Sequence, residues 1–193
     1  MHHIYHTQAL ILRSRQKGEA NKMIVLYTKE LGLVHAATQG IRLLRSKLRF
    51  ALQDFSIARV DLVRGKDVWR ITSATPGTHI AIGETDRDLI ARYARVFRLL
   101  EKLCAGEESN PELFDDLMVF IDALKHAEFS ARHDIELHIV FRMLFNLGYI
   151  APTDALQPLI ASPFGTPTDA LVAQRRAVTQ MINDALRESQ LLS

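Results

Sequence analysis

The chain has 193 residues, with 24 basic and 22 acidic side chains, one cysteine and 48% hydrophobic residues. A chain of this length folds as one or two domains and buries about 70% of its extended surface, so its core requires neither a disulfide nor a metal staple. The lone Cys104 excludes an internal disulfide and a cysteine-based zinc cluster, and with no signal-peptide pattern and no run of 18 apolar residues the expectation is a soluble, cytoplasmic protein.

The net charge of +2 hides an asymmetry. Residues 1–80 hold 13 Lys and Arg against 5 Asp and Glu, a net of +8, whereas residues 81–193 hold 11 against 17, a net of −6. Such a division points to a half that meets a polyanion and a half with another task.

Taken in order, the first eighty residues read as strands. Apolar runs lie within Thr7–Ser14, Lys22–Thr28 and Leu33–Thr38, separated by the polar turn Arg15–Asn21 and by Glu30–Leu31–Gly32. Gly40–Gln53 follows, holding Arg42, Arg45, Lys47 and Arg49 and no acid. It reads as a basic connection or a short helical turn, and cations at this spacing can follow a phosphate backbone. Phe55–Val63 alternates apolar and polar residues with period two, and Val68–Thr72 pairs with it across the turn Arg64–Asp67. Five short strands in a basic segment suggest a small barrel, either the five-stranded OB-fold or an SH3-like barrel. Arg13, Arg15, Lys17 and Lys22 flank the first hairpin and extend the basic surface. Trp69 stands beside Arg64, Lys66 and Arg70, where it either stacks on a base or is buried in the core.

From about residue 84 the period becomes helical. Thr85 and Asp88 have the spacing of a capping box, and Leu89, Tyr93, Val96, Leu100 and Leu103 recur on one face. Asn110–Pro111–Glu112 starts a second helix, carrying Leu113, Leu117, Ile121 and Leu124. A third runs from about Arg132 to Leu147 and stops at Gly148. Residues 151–167 contain four of the six prolines and read as an irregular connection, and Thr166–Pro167–Thr168–Asp169 starts a last helix. The expected class is therefore mixed α+β in separate domains, a barrel over residues 1–80 and an α-helical domain over 81–193.

Little here suggests bond chemistry. No G-x-S-x-G, P-loop or G-x-G-x-x-G is present, so no enzyme and no cofactor is expected. Asp115–Asp116 reads as a solvated helix face, Cys104 as a buried and inert thiol, and the His2, His3 and His6 cluster as a basic tail. His133 and His138 are five apart and do not share a helix face, so no metal site is expected.

An ordered series of segments carries a family likeness: Ala9–Arg13, Gly18–Lys22, Leu26–Gly32, Gly40–Phe55, Arg64–Gly65, Trp69–Ala74, Asn110–Phe114 and Leu147–Pro152. Together they resemble the RecO family of bacterial recombination mediators. The resemblance implies an N-terminal OB-fold and a C-terminal helical domain. It implies binding of single- and double-stranded DNA, annealing of complementary strands, and cooperation with RecR in loading RecA onto DNA coated with single-strand-binding protein, in DNA repair and the response to DNA damage. It also implies docking of the acidic, apolar C-terminal tail of single-strand-binding protein on the helical domain, although the −6 charge of that half opposes an acidic tail. Many members carry four zinc-holding cysteines after the Leu-Gly-Tyr segment, and this chain has none there. The nucleic-acid-binding residues expected are Arg13, Lys17, Lys22, Arg42, Arg45, Lys47, Arg49, Arg64 and Trp69. The rival readings are a barrel binding structured RNA, and a protein adaptor with a basic face.

Overall fold

The computed structural model describes residues 3–17, 21–38, 48–80, 85–161, 164 and 169–189. The chain divides into two compact units, Met1–Thr85 with Cys104–Pro111, and Asp86–Leu103 with Glu112–Ser193.

The first unit is built from β1 (Ile4–Lys17), β2 (Asn21–Thr28), β3 (Gly32–Thr38), β4 (Ser56–Arg64) and β5 (Trp69–His79), with a four-residue helix, α1 (Leu48–Ala51), between β3 and β4. The strands close on themselves in the order β1-β2-β3-β5-β4. β1 runs on to serve two neighbours. Its first half pairs with β4, from Ile4↔Val63 to Leu10↔Ile57, and its second half with β2, from Ala9↔Thr28 to Lys17↔Asn21. β3 and β5 meet in parallel at Ala36↔Trp69 and Ala37↔Arg70, which closes the ring. β1 and β5 are longer than the hydrophobic runs that announce them, because their polar ends still find backbone partners on a neighbouring strand.

Alternation places Ala9, Ile11, Ile24, Leu26, Val34, Ala36, Ala58, Val60, Leu62, Trp69 and Ile71 inside the ring. The short helix seals the core. Ala51 and Leu52 are 0% and 1% exposed, Leu48 packs against the same cluster, and Leu52 N donates to Leu48 O at 3.0 Å.

The β2–β3 turn depends on Gly32. Its φ of +68° is left-handed, and a Cβ there would stand 2.1 Å from the Glu108 carbonyl oxygen. Thr28, fully buried, ties the turn by accepting from Leu31 N and donating to Gly32 O, each at 3.0 Å. Cys104–Pro111 therefore packs with the strands: Leu33 N donates to Gly106 O at 3.3 Å, and Ser109 Oγ to Lys29 O at 3.2 Å.

The second unit consists of α2 (Arg87–Leu103), α3 (Pro111–His126), α4 (Arg132–Asn146), a 3-10 turn (Asp154–Leu156), α5 (Gln157–Ala161) and α6 (Asp169–Glu188). Three expectations are corrected here. The α2 cap is Asp86 rather than Thr85, since Asp86 Oδ1 accepts from Asp88 N at 3.0 Å and Leu89 N at 3.1 Å, and a carboxylate caps by charge as well as by hydrogen bond. The proline-containing connection is not irregular throughout: α5 forms within it, with Leu159 wholly buried. Asp116 is not a solvated carboxylate. It is 8% exposed and bidentate with Arg142, at 2.8 and 3.1 Å.

The core of this unit follows the helical stripe, with Leu89, Tyr93, Val96, Phe97 and Leu100 of α2 buried as are Leu113, Leu117 and Phe120 of α3. Tyr93 Oη donates to Ile121 O at 2.8 Å, so the phenol is satisfied inside the core.

His138 is 2% exposed, with Nε2 3.4 Å from Leu159 O and its ring 4.8 Å from that of Phe164. Burial, aided by the Arg142 charge, holds its pKa below the ordinary 6.5 despite the Leu159 carbonyl and Asp116. The unfolded imidazole thus takes up protons at a higher pH than the folded one. The stability this group contributes is complete above about pH 6.5 and is lost as the pH falls from there towards the lower folded value.

Two predictions follow from these packings. Replacing Gly32 with Ala forces a left-handed Cβ against the Glu108 backbone, costing about 1–3 kcal/mol in backbone strain alone, and the loss is read as a lower urea midpoint. The urea midpoint of the wild-type helical unit falls between pH 7.5 and 5.5, and His138→Gln flattens that slope. An unchanged slope in the variant would assign the pH dependence to another group.

Candidate nucleic-acid interface

β1 carries a bulge between Ile11 and Arg13: Ile11 pairs with Leu26, but Arg13 pairs with Val25. Leu12 is the extra residue, and it reverses the alternation of everything after it. Ala9 and Ile11 point into the core, whereas Arg13, Arg15 and Lys17 are exposed on the outer face.

Register then sets the neighbours. Arg15 pairs with Met23, Met23 with Ala37, and Ala37 with Arg70, so one row crosses β1, β2, β3 and β5. A second row runs Arg13, Val25, His35. The outer face of β2 and β3 offers Met23 and Ala37, both half-buried, with exposed His35 beside them. It is walled by Arg13, Arg15 and Lys17 on one side and Arg70 on the other. Three strand spacings separate Arg15 from Arg70, about 14 Å along the sheet. This is a shallow apolar floor between two cationic edges, an arrangement suited to a strand whose phosphates are held at its sides.

The outer face on the other side of the ring differs. His6, Gln8, Arg59, Asp61, Ser73 and Thr75 line a polar pocket there. Its charges are mixed and mutually engaged: His6 Nδ1 lies 2.7 Å from Asp61 Oδ1, and Thr7 Oγ1 donates to Glu30. Nothing about it favours a polyanion.

The residues expected from the sequence are distributed as follows. Arg13 and Lys17 are exposed on the walled face, and Arg49 is exposed on α1. Lys22 is half-buried, with Nζ donating to Ser14 Oγ at 3.3 Å. Arg64 is exposed but engaged, forming an ion pair with Glu107 and lying 5.0 Å over the ring of Trp69. Arg42, Arg45 and Lys47 lie outside the described residues.

Trp69 is a correction. It is 4% exposed, its Nε1 donates to Glu107 Oε1 at 2.8 Å, and Tyr5 meets its ring edge-on at 5.1 Å. A ring so covered fills the core and cannot stack on a base. Arg70 and His35 belong to the face although neither was among the residues expected. The signal for Arg70 was its place one residue beyond inward-pointing Trp69, but the direction of Trp69 was open until the strand register was known.

Cys104 is half-buried, and burial chiefly, with Glu108 assisting, pushes its thiol up to about 12, so it stays protonated and unreactive at neutral pH. Among the described residues no group of three His, Cys, Asp or Glu is placed to hold a metal ion, and no helix is long and apolar enough to cross a membrane.

Residues 1–78 match the family model of the recombination protein O N-terminal domain. Over these residues the chain is similar to the RecO family. Among its relatives, the DNA repair protein RecO of Desulfitobacterium hafniense is 30% identical over 111 residues, covering 58% of this chain and 41% of the relative. That of Heliobacterium modesticaldum is 31% identical over 115 residues, covering 60% and 42%. That of Dehalococcoides mccartyi is 28% identical over 141 residues, covering 72% and 55%. The alignments thus span about half the length of these RecO proteins. The matched domain is the unit that bears the walled face.

If Arg13, Arg15, Lys17 and Arg70 each neutralise one phosphate, they contribute about −2.8 to the slope of log affinity against log salt on single strands, at about −0.7 per contact. Replacing Arg15 and Arg70 with Ala makes the slope shallower by about 1.4, whereas Arg59→Ala on the opposite face leaves it unchanged. An equal change on replacing Arg59 would place the interface elsewhere.

Proposed function

We propose that the chain is a non-enzymatic DNA-binding mediator of recombinational repair, and that its barrel is an OB-fold whose β2–β3 face holds DNA. The observation that carries this reading is the face itself: an apolar floor edged by Arg13, Arg15, Lys17 and Arg70, in a domain similar to that of the RecO family. The basic segment Gly40–Gln53, through Arg42, Arg45, Lys47 and Arg49, supplies further cations for phosphate contacts. Two complementary strands on a shared cationic surface lose much of their mutual repulsion, which favours pairing without any bond chemistry. The proteins resembling this chain are named DNA repair proteins, and the role extends from them.

In this reading the helical unit serves protein docking. RecR is the proposed partner in loading RecA, and the C-terminal tail of single-strand-binding protein is the proposed contact that brings the mediator to coated DNA. No zinc or other cofactor is required for either task, and the cytoplasm is the proposed location.

Strand annealing by purified protein, with and without single-strand-binding protein, tests the reading. Wild-type protein is expected to accelerate annealing. The quadruple variant with Ala at Arg42, Arg45, Lys47 and Arg49 is expected to lose affinity and annealing together, by a similar factor for unrelated sequences, because phosphate contacts carry no sequence information. Unfolding of that variant is expected to change by less than about 0.5 kcal/mol. Transfer RNA competing better than single-stranded DNA would favour a structured-RNA binder, and no binding of either at low salt would favour a protein adaptor.

A further inference from the structure

We propose that Phe50 is the base-stacking residue of the barrel, and that it makes the protein discriminate single-stranded from double-stranded DNA. This rests on the DNA-binding reading above.

The geometry of α1 dictates where Phe50 points. Leu48, Ala51 and Leu52 are spaced i, i+3 and i+4, so they share one side of the turn, and all three contribute to the core. The two residues between them are thereby turned outward. Arg49 is exposed, and Phe50 is 67% exposed. A turn anchored from beneath at three points thus presents a guanidinium and a phenyl ring side by side. The sequence just before it carries Arg42, Arg45 and Lys47.

Single apolar residues at a surface need no explanation in general. Here the alternatives are accounted for. Of the Phe, Tyr and Trp side chains described in this unit, Tyr27 and Trp69 are buried, Tyr5 and Phe55 are half-buried, and Phe50 alone is in the open. Single-strand binders pair cations that track the phosphates with aromatic rings on which bases lie. The cations are abundant, and the tryptophan that the sequence offered as the ring is in the core. Phe50 supplies the ring, with Arg49 beside it for the adjoining phosphate. A duplex keeps its bases stacked inside, so it gains the cationic contacts and not this one.

The test uses the full chain and two probes, oligo-dT and a blunt duplex. Phe50→Ala should weaken oligo-dT binding by roughly 5- to 150-fold, the range expected for losing one base–aromatic stack. Duplex affinity should change by less than about twofold, and the salt slope should stay the same, since no charge is removed. Phe50→Trp should retain oligo-dT binding and show quenching of the new exposed indole when the oligonucleotide is added, with the buried Trp69 as constant background. An unfolding transition like that of wild type confirms that both variants are folded. A folded Phe50→Ala protein that binds oligo-dT as wild type does, or that loses single and double strands equally, would overturn the assignment. Wild-type protein binding neither probe would overturn the DNA-binding reading beneath it, an outcome distinct from both.

Discussion

One inserted residue, Leu12, governs how the charge of this barrel is displayed. β1 lines the core with Ala9 and Ile11 and then bears Arg13, Arg15 and Lys17. Uninterrupted alternation would send these three cations inward, and an unpaired charge in an apolar interior costs several kcal/mol or more. The bulge inverts the parity once, between Ile11 and Arg13, so a single strand serves the core with its first half and solvent with its second. On its other edge β1 meets the start of β4. Ile11 O accepts from Phe55 N at 2.8 Å, and Phe55 O accepts from Ile80 N at 2.9 Å. Those two bonds hold Phe55 at φ +64°, a conformation that costs a non-glycine residue about 1–2 kcal/mol. The bulge, the exit from α1 and the start of β4 are therefore one linked arrangement.

The helical unit solves a different problem. Five of its acids are held in ion pairs with arginines. Arg92 meets Asp88 at 2.8 Å and Glu136 at 2.5 Å, Arg95 meets Glu136 at 2.8 Å, and Arg132 meets Asp86 at 2.5 Å. Arg92 and Arg132 are each 11% exposed at the side chain, so these guanidiniums bridge α2 to α4 rather than offering a cationic surface. Hydrogen bonds from those arginines hold the Asp86 and Asp88 carboxyls below the ordinary carboxylate range. The buried Asp116–Arg142 pair ties α3 to α4 in the same way, and losing either partner would strand a charge. These paired acids act as braces between helices.

Much of this was legible in the sequence, and the exceptions share a cause. The strand runs, the helical stripe of α2 and the stop at Gly148 follow from local periodicity, which the chain carries residue by residue. The bulge does not: Ala9–Leu10–Ile11–Leu12 is a continuous apolar run, and nothing in it marks which residue is extra. Because parity downstream depends on that choice, Arg15, His35 and Arg70 became members of one face only through the pairing register. The same holds for Asp116, whose burial depends on Arg142, 26 residues away. Trp69 was undecided because its neighbours fit either direction, and Glu107, which takes its indole N–H, lies 38 residues further on. Phe50 could not be distinguished from a core aromatic until Leu48, Ala51 and Leu52 were seen to hold the inner side of the turn.

The central claim is that the bulge in β1 creates a DNA-binding face on β2 and β3 bounded by Arg13, Arg15, Lys17 and Arg70. The most direct measurement is an NMR titration of the isotope-labelled chain with oligo-dT, following backbone amides. The account predicts shifts concentrated at Arg15, Met23, Ala37 and Arg70, which form one row across four strands, and at Arg49 and Phe50 of α1, with Gln8, Arg59 and Thr75 on the opposite face unmoved. Shifts confined to that opposite face, or scattered without regard to the row, would contradict it.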